Sequence, residues 1–404
     1  MRDSEFERLV PDAERGGGGM SNRSTLTSTE LIWRAAFTRL RDLGFILRDR
    51  YSPEWVPSWV KEGFDDAWLE ERDFLWGSYD DGIAIEHATT LDATRASDGL
   101  VCAIQMKPPE AESLPILRFL ARPEVINDPR NHACPVLAEV PLDEWTPARV
   151  VVYPLARDWR LPPMRLVADA LQFCDQLLEG LSFLHEHNIA HRDIAARNIM
   201  MDPSALFPHG VNPLATFTRI PVPEMKPKYD RVDVYSQMRY WFIDFGLSTM
   251  FASKAERKLV IWEGGPRDMP ECLELDAQGE MQPNRPYDAF KADMWSLGKL
   301  LGRYFASSIP ELQPLISAMT APSPDSRPDC ATALRAFRTI AHELPRRRLL
   351  RGIPNAVQLD WQPWSGADAM SQAMFNWVDY WRCAGKFWWR GTPLLVGGAS
   401  EIRR

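Results

Sequence analysis

The chain has 404 residues, of which 45% are hydrophobic, 25% charged and 11% aromatic, and its formal net charge is −8. That composition excludes a disordered, collagen-like or coiled-coil protein, and the length leaves room for two or three structural units. The acidic balance repels nucleic acid, so no nucleic-acid partner is expected, and no run of about 18 apolar residues offers a membrane span.

Residues 1–27 are polar and include Gly16 to Gly19, which predicts a flexible tail; Met20 follows the glycines directly. No apolar h-region marks a secretory leader. Six scattered cysteines form no CxxC pair, so small buried hydrophobes in a reducing, intracellular setting are expected, by default cytoplasmic with a nuclear one left open. Residues 28–48 read as a helix, with Thr27 and Ser28 as cap oxygens and Leu31, Ala35, Leu40 and Leu43 near helical spacing. The prolines and tryptophans at 53–59 then predict an irregular segment packed on the main body, and the extension as a whole runs over 28–82.

From residue 83 the texture becomes strand-like. IAIEHATTLDATRA and LVCAIQMK flank Ser97-Asp98-Gly99, a hairpin signal, and ACPVLAEV and ARVVVYPLA add two more strands. With a short helix near 111–121 they predict a small antiparallel sheet over 83–157. Helices dominate 158–342. The first places Val167, Leu171, Cys174, Leu178, Leu181 and Leu184 on one face and ends near Asn188; KADMWSLGKLLGRYFASS and ATALRAFRTIAHEL supply two more. Strands first and helices second predict an α+β chain of two unequal lobes. Residues 203–239, with prolines at 203, 208, 213, 221, 223 and 227, read as a surface loop inserted in the second lobe. Residues 343–404 carry Arg346, Arg347, Arg348 and Arg351 and then six tryptophans, which read as an extension strapped on by its indoles with the arginines solvated.

The chemistry concentrates in two segments. His191-Arg192-Asp193-Ile194-Ala195-Ala196-Arg197-Asn198 follows the long amphipathic helix, and Tyr240-Trp241-Phe242-Ile243-Asp244-Phe245-Gly246 delivers an Asp, a Phe and a Gly to a turn. HRDxxxxN followed by DFG resembles the protein-kinase superfamily. Asp293-Met294-Trp295-Ser296-Leu297-Gly298 resembles the DxWSxG start of its central helix, and Met269-Pro270-Glu271 with Arg327 resembles its APE–Arg pair. The resemblance spans roughly 83–342. LRDRYSPEWVPSW, NDPRNHACPVL and the long insert before DFG are similar to kinase-like proteins common in basidiomycete fungi.

The resemblance implies a bilobal protein-kinase-like fold that binds ATP with Mg and transfers phosphate to a protein hydroxyl. Asp193 would be the catalytic base, assisted by Arg197; Asn198 and Asp244 would hold the metal; Lys107, ending the third strand, would pair with the phosphates; and Glu112, ahead of Glu110, would be its carboxylate partner. Asp293 would anchor the catalytic-loop backbone, His191 would pack beneath Phe245, and Arg192 would face a phosphorylated hydroxyl among Ser248, Thr249 and Ser253. HRDIAARN resembles the tyrosine-kinase loop, yet WEGGPRDM before Pro270 matches neither platform type, and serine or threonine is the expected acceptor. No glycine lies between Gly82 and Gly99, where a nucleotide-covering GxGxxG is expected. That departure keeps open a pseudokinase scaffold; a small-molecule kinase is a second alternative.

Overall fold

The first helix begins where the sequence offers it a cap. Thr27 and Glu30 bond reciprocally: Glu30 N donates to Thr27 Oγ1 (3.3 Å) and Thr27 N donates to Glu30 Oε2 (2.9 Å). This is α1 (Ser28–Asp42). The computed structural model describes residues 24–70, 79–83, 89–142, 148–214, 227–265, 268–273 and 285–353. Within them α1 ends at Asp42 and not at 48. Gly44 takes φ 87°, which a side chain resists, and Phe45–Ile46 turns into a strand, β1. The apolar Phe45 and Leu47 that extended the helical pattern alternate instead across a sheet edge, both buried with Ile46 exposed between them.

After short helical turns at Ser58–Lys61 and Asp66–Glu70 come the longer elements β2 (Thr90–Arg95), β3 (Val101–Lys107), α2 (Ser113–Leu120), β4 (Ala138–Pro141) and β5 (Arg149–Pro154), with one more turn at Pro123–Ile126. They are followed by β6 (Arg157–Asp158), α3 (Val167–Glu186), β7 (Ile189–Ala190), β8 (Ile199–Met201), β9 (Tyr240–Phe242) and β10 (Thr249–Met250). Three helices follow, α4 (Ala289–Phe305), α5 (Gln313–Met319) and α6 (Cys330–Glu343), and one helical turn at Arg346–Leu349 comes after them. The chain divides into two compact units. One takes the described residues within Met1–Leu114, Pro135–Ala156 and Phe207–Lys226; the other takes those within Pro115–Cys134, Arg157–Leu206 and Pro227–Arg404.

The first unit holds a five-stranded antiparallel sheet of order β1-β2-β3-β5-β4. Ala93 faces Cys102, Ile104 faces Val152 and Lys107 faces Arg149. The β2–β3 hairpin closes with Arg95 N donating to Leu100 O, and Gly99 at φ 72° makes the turn. Leu91, Ile104, Met106, Val150 and Val152 form its buried face. The segment after β1 packs through polar anchors. Arg50 is buried and its guanidinium bonds Glu30 (2.6 and 3.0 Å) and the carbonyls of Asp81 and Thr25. Asp81 Oδ2 in turn accepts from Trp55 Nε1 and Ser58 N, both at 2.9 Å, and the buried Trp59 donates to Asp66. A hydrogen bond satisfies each indole nitrogen, so the rings can be buried at little polar cost.

In the second unit α3 exists because its apolar residues repeat at helical spacing. Val167, Leu171, Cys174, Leu178, Leu181 and Leu184 are all fully buried. Asp288 caps α4 by accepting from Phe290 N and Lys291 N, and Asp329 caps α6 by accepting from Thr332 N. β6-β8-β9 and β7-β10 form two small antiparallel sheets. The second arm of the insert is not a surface loop. Val232, Val234, Tyr235 and Met238 are buried; Tyr235 Oη donates to Ala168 O; and the buried Arg231 bonds Tyr240 Oη and the carbonyls of Trp159 and Pro162. The prolines suggested a loop, but the apolar residues that follow the last of them, Pro227, decide the packing. Arg348 likewise is not solvated, since it binds Glu311 at 2.7 and 2.9 Å. The six tryptophans after it, and the N-terminal tail through residue 23, lie outside the described residues. Cys102, Cys134, Cys174 and Cys330 are buried, and Cys272 is partly exposed. No described helix is long and apolar enough to cross a membrane.

Candidate active site

The second unit builds its site on a loop between β7 and β8. Arg192 sits there at φ 68°, a left-handed conformation that a side chain adopts at a cost. Asp293, on α4 and buried, holds it: its carboxylate accepts from His191 N (2.8 Å), Arg192 N (2.7 Å) and His185 Nε2 (3.0 Å). Three donors on one buried carboxylate fix the loop in place.

Asp193 is 7% exposed. Arg197 Nη2 reaches both its oxygens (2.8 and 2.9 Å), and Asn198 Nδ2 donates to Oδ2 (2.7 Å) and to its carbonyl (2.9 Å). Arg197, Asn198 and Asp193 therefore come together, as a turn of Ala196–Asn198 folds the loop back on itself. Ile199 pairs with Phe242, and Ile243 N donates to Asn198 O (3.0 Å), which carries the next residue, Asp244, to the same end of the β8–β9 ladder. Asp244 adopts φ 61° and accepts from Gly246 N at Oδ1 (3.2 Å). His191 accepts at Nδ1 from Asp193 N (3.3 Å), so its proton is on Nε2, which donates to Ile243 O (3.1 Å). Its ring lies 5.1 Å from that of Phe245.

A second set of bonds ties the segment after DFG to this loop. Arg192 donates to Thr249 Oγ1 (3.0 Å), Ile261 O (2.6 Å), Glu263 Oε2 (3.4 Å) and Tyr287 Oη (3.2 Å). Burial pushes the Tyr287 phenol up, and the guanidinium pulls against that shift. Of the three expected hydroxyls, Thr249 faces Arg192; Ser248 is buried and donates to His191 O, and Ser253 donates to Glu256. Arg327 binds Glu271 through two nitrogens, at 2.7 and 2.6 Å. Gly265, at φ 81°, stands against Asp193: a Cβ there would meet Arg192 O at 2.7 Å and Asp193 Oδ1 at 3.4 Å. Sequence reading passed over Gly265, Glu263 and Tyr287; the paired glycines of WEGGPRDM were the available signal.

The first unit holds Lys107 and Glu112, the two remaining residues that the sequence put forward. Lys107 ends β3, opposite Arg149, and is buried. Glu112 is exposed one residue before α2, and α2 itself, SLPILRFL, carries no carboxylate. The described residues contain no cluster of three or more His, Cys, Asp or Glu side chains that could hold a metal alone. Asp244 and Asn198 supply one carboxylate and one amide oxygen, since Asn198 Nδ2 is engaged by Asp193 and its Oδ1 is left as acceptor. Hard oxygens in that number suit magnesium, which keeps positions for phosphate and water.

Comparison with known proteins agrees with this geometry. The protein kinase domain model matches residues 166–314. The serine/threonine-protein kinase grp of Drosophila melanogaster is 28% identical over 148 residues, covering 36% of this chain and 20% of that protein. The probable serine/threonine-protein kinase KKQ8 of Candida glabrata is 26% identical over 126 residues, 31% of this chain and 12% of that one. The tyrosine-protein kinase Srms of Homo sapiens is 45% identical over 49 residues, 12% and 9% of the two chains. The chain thus spans at most about a fifth of the length of these curated relatives. The α+β fold and the loop at 191–198 suit a protein-kinase-like scaffold, and residues 166–314 are similar to the protein kinase domain.

Proposed function

We propose that the protein transfers the γ-phosphoryl group of ATP, with magnesium, to a serine or threonine hydroxyl of a protein. The observation that carries this reading is the Asp193 carboxylate, buried, bonded by Arg197 and Asn198, and faced by a residue without a side chain at 265. Asp193 accepts the hydrogen bond of the incoming hydroxyl and orients its oxygen. That oxygen bonds to phosphorus as the bond from phosphorus to the bridging oxygen of the diphosphate breaks, and the hydroxyl proton passes to Asp193. Arg197 adds a positive charge beside the base. Magnesium, held by Asp244 and Asn198, supplies charge neutralisation on the phosphates. Lys107 pairs with the phosphates, and Glu112 orients Lys107. Two relatives named as serine/threonine kinases support the acceptor class, while HRDIAARN and the match to a tyrosine kinase point the other way. Phosphoamino-acid analysis of the product decides between them.

The test is phosphate transfer from labelled ATP to casein. Asp193→Asn lowers the rate by about 10²–10⁴-fold, the range of a lost general base. No transfer, together with no rise in melting temperature at millimolar ATP and magnesium, leaves the scaffold reading, which the glycine-free stretch between Gly82 and Gly99 favours. Phosphorylation of Thr249 would place a dianion against Arg192, so Ser248, Thr249 and Ser253 all changed to alanine lower activity; unchanged activity removes that regulatory step.

A further inference from the structure

A groove of ≈ 910 Å³ opens in the second unit, away from the residues of the catalytic loop. The end of α3, the start of α4, the start of α6 and the segment around 252–259 line it. Its acids and its bases are not equally available. Asp288 and Asp329 are spent on capping α4 and α6, and Glu186 is bonded to Arg130 at 2.7 Å. Arg257 is fixed as wall: its guanidinium lies 3.8 Å over the Phe290 ring and donates to Asn188 Oδ1 at 3.0 Å. Lys254 and Lys258 are exposed, and neither forms an ion pair among the described residues. The lining carries four bases (Lys254, Arg257, Lys258 and Lys291) against three acids (Glu186, Asp288 and Asp329), so the groove is positive, in a chain whose net charge is −8.

The rim is apolar and leads to the base. Leu259 is 59% and Ile261 51% exposed, on either side of Val260, whose backbone pairs with Tyr287. The pairing sends Leu259 and Ile261 outward together. Ile261 O is held by Arg192, and a few residues on, Gly265 borders Asp193 Oδ1. One continuous segment thus joins a basic groove, two exposed aliphatic side chains and the catalytic carboxylate.

We propose that this groove docks an acidic segment of the protein substrate, in which carboxylates meet Lys254 and Lys258 and an aliphatic side chain meets Leu259 and Ile261. The consequence for turnover rests on the phosphotransfer reading; the docking itself does not. Charge complementarity at an exposed rim acts through encounter and specificity. Two lysines beside apolar residues suit a short acidic peptide better than a polyanion, which the acidic chain as a whole repels.

The test uses the full chain and a short fluorescein-labelled peptide of glutamates and leucines around one serine, with a lysine-for-glutamate peptide as control. Fluorescence anisotropy shows tighter binding of the acidic peptide, weakened by sodium chloride. Lys254→Glu with Lys258→Glu weakens it about tenfold while the melting temperature stays in place, as expected for two exposed charges. In the transfer assay the same variant raises KM for the acidic peptide and leaves kcat and the KM for ATP unchanged. Equal binding of both peptides, wild-type binding by the variant, or stronger competition by single-stranded DNA or by anionic phosphatidylserine vesicles than by unlabelled peptide overturns the proposal. Anisotropy reads docking without turnover, so an inactive protein that still binds the acidic peptide separates this proposal from the enzymatic one.

Discussion

Two buried arginines, one in each unit, solve the same electrostatic problem for different ends. Arg50 and Arg327 are both fully buried, both grip a glutamate through two nitrogens, and both place their remaining donors on backbone carbonyls. Arg50 binds Glu30, which is already part of the α1 cap, so the pair secures the start of a helix and the segment that follows β1. Arg327 binds Glu271 across 56 positions of sequence and also holds Lys291 O on α4. Its pair therefore secures the end of the segment that carries Gly265 to Asp193. The difference shows that a buried ion pair takes its meaning from what its carboxylate is attached to. The first should matter to stability alone, and the second to stability and catalysis together.

The comparison breaks most visibly at Glu30. Glu30→Ala strips the partner from a fully buried guanidinium and removes the cap, so a loss of about 4 kcal/mol is expected, read as a lower denaturation midpoint. Glu30→Leu combined with Arg50→Met recovers most of it, because no buried charge is left unpaired. Glu271→Ala costs somewhat less, about 3 kcal/mol, since its carboxylate is partly exposed. Its distinguishing mark is kinetic: phosphate transfer falls further than the folded fraction at the assay temperature. Equal losses for the two variants in stability and in turnover would erase the contrast.

A third pair, less buried, gives the smallest effect and a pH dependence. Burial pushes Glu179 up, but hydrogen bonds from His132 and Arg338 bring its carboxyl below the usual range. Its stabilisation is therefore full above the unfolded value, near 4.5, and is lost as pH falls through the folded one. Neighbouring Asp175 is shifted the opposite way by burial, despite Arg338. Glu179→Gln isolates the first effect: its melting temperature declines less than the wild type's on acidification below about pH 4.5, by an amount worth about 1 kcal/mol or less.

How far the sequence reveals these features depends on distance along the chain. Asp193, Arg197 and Asn198 were put forward by the resemblance of HRDIAARN to kinase loops, and lying within one loop they meet at short range. The Glu271–Arg327 pair was readable only through the resemblance to kinases, because nothing local ties positions so far apart. Arg50 was not readable at all: in LRDRY it looks like an ordinary solvated charge, and its burial follows from Glu30 and two carbonyls far from it in sequence. Periodicity misled over 43–48, where the apolar spacing suits a helix and a strand alike until Gly44 intervenes. Prolines at 203–227 misled over 228–239, where apolar residues pack the arm around Arg231.

The uneven burial of the cysteines has a practical outcome for biophysical work. Burial raises the thiols of Cys102, Cys134, Cys174 and Cys330, so an alkylating dye that needs a thiolate meets four poor targets. Cys272, partly exposed and next to Glu271, is the described thiol such a reagent reaches first. A fluorophore placed there would report directly on the end of the segment that Arg327 holds, and its emission would change when that grip is released.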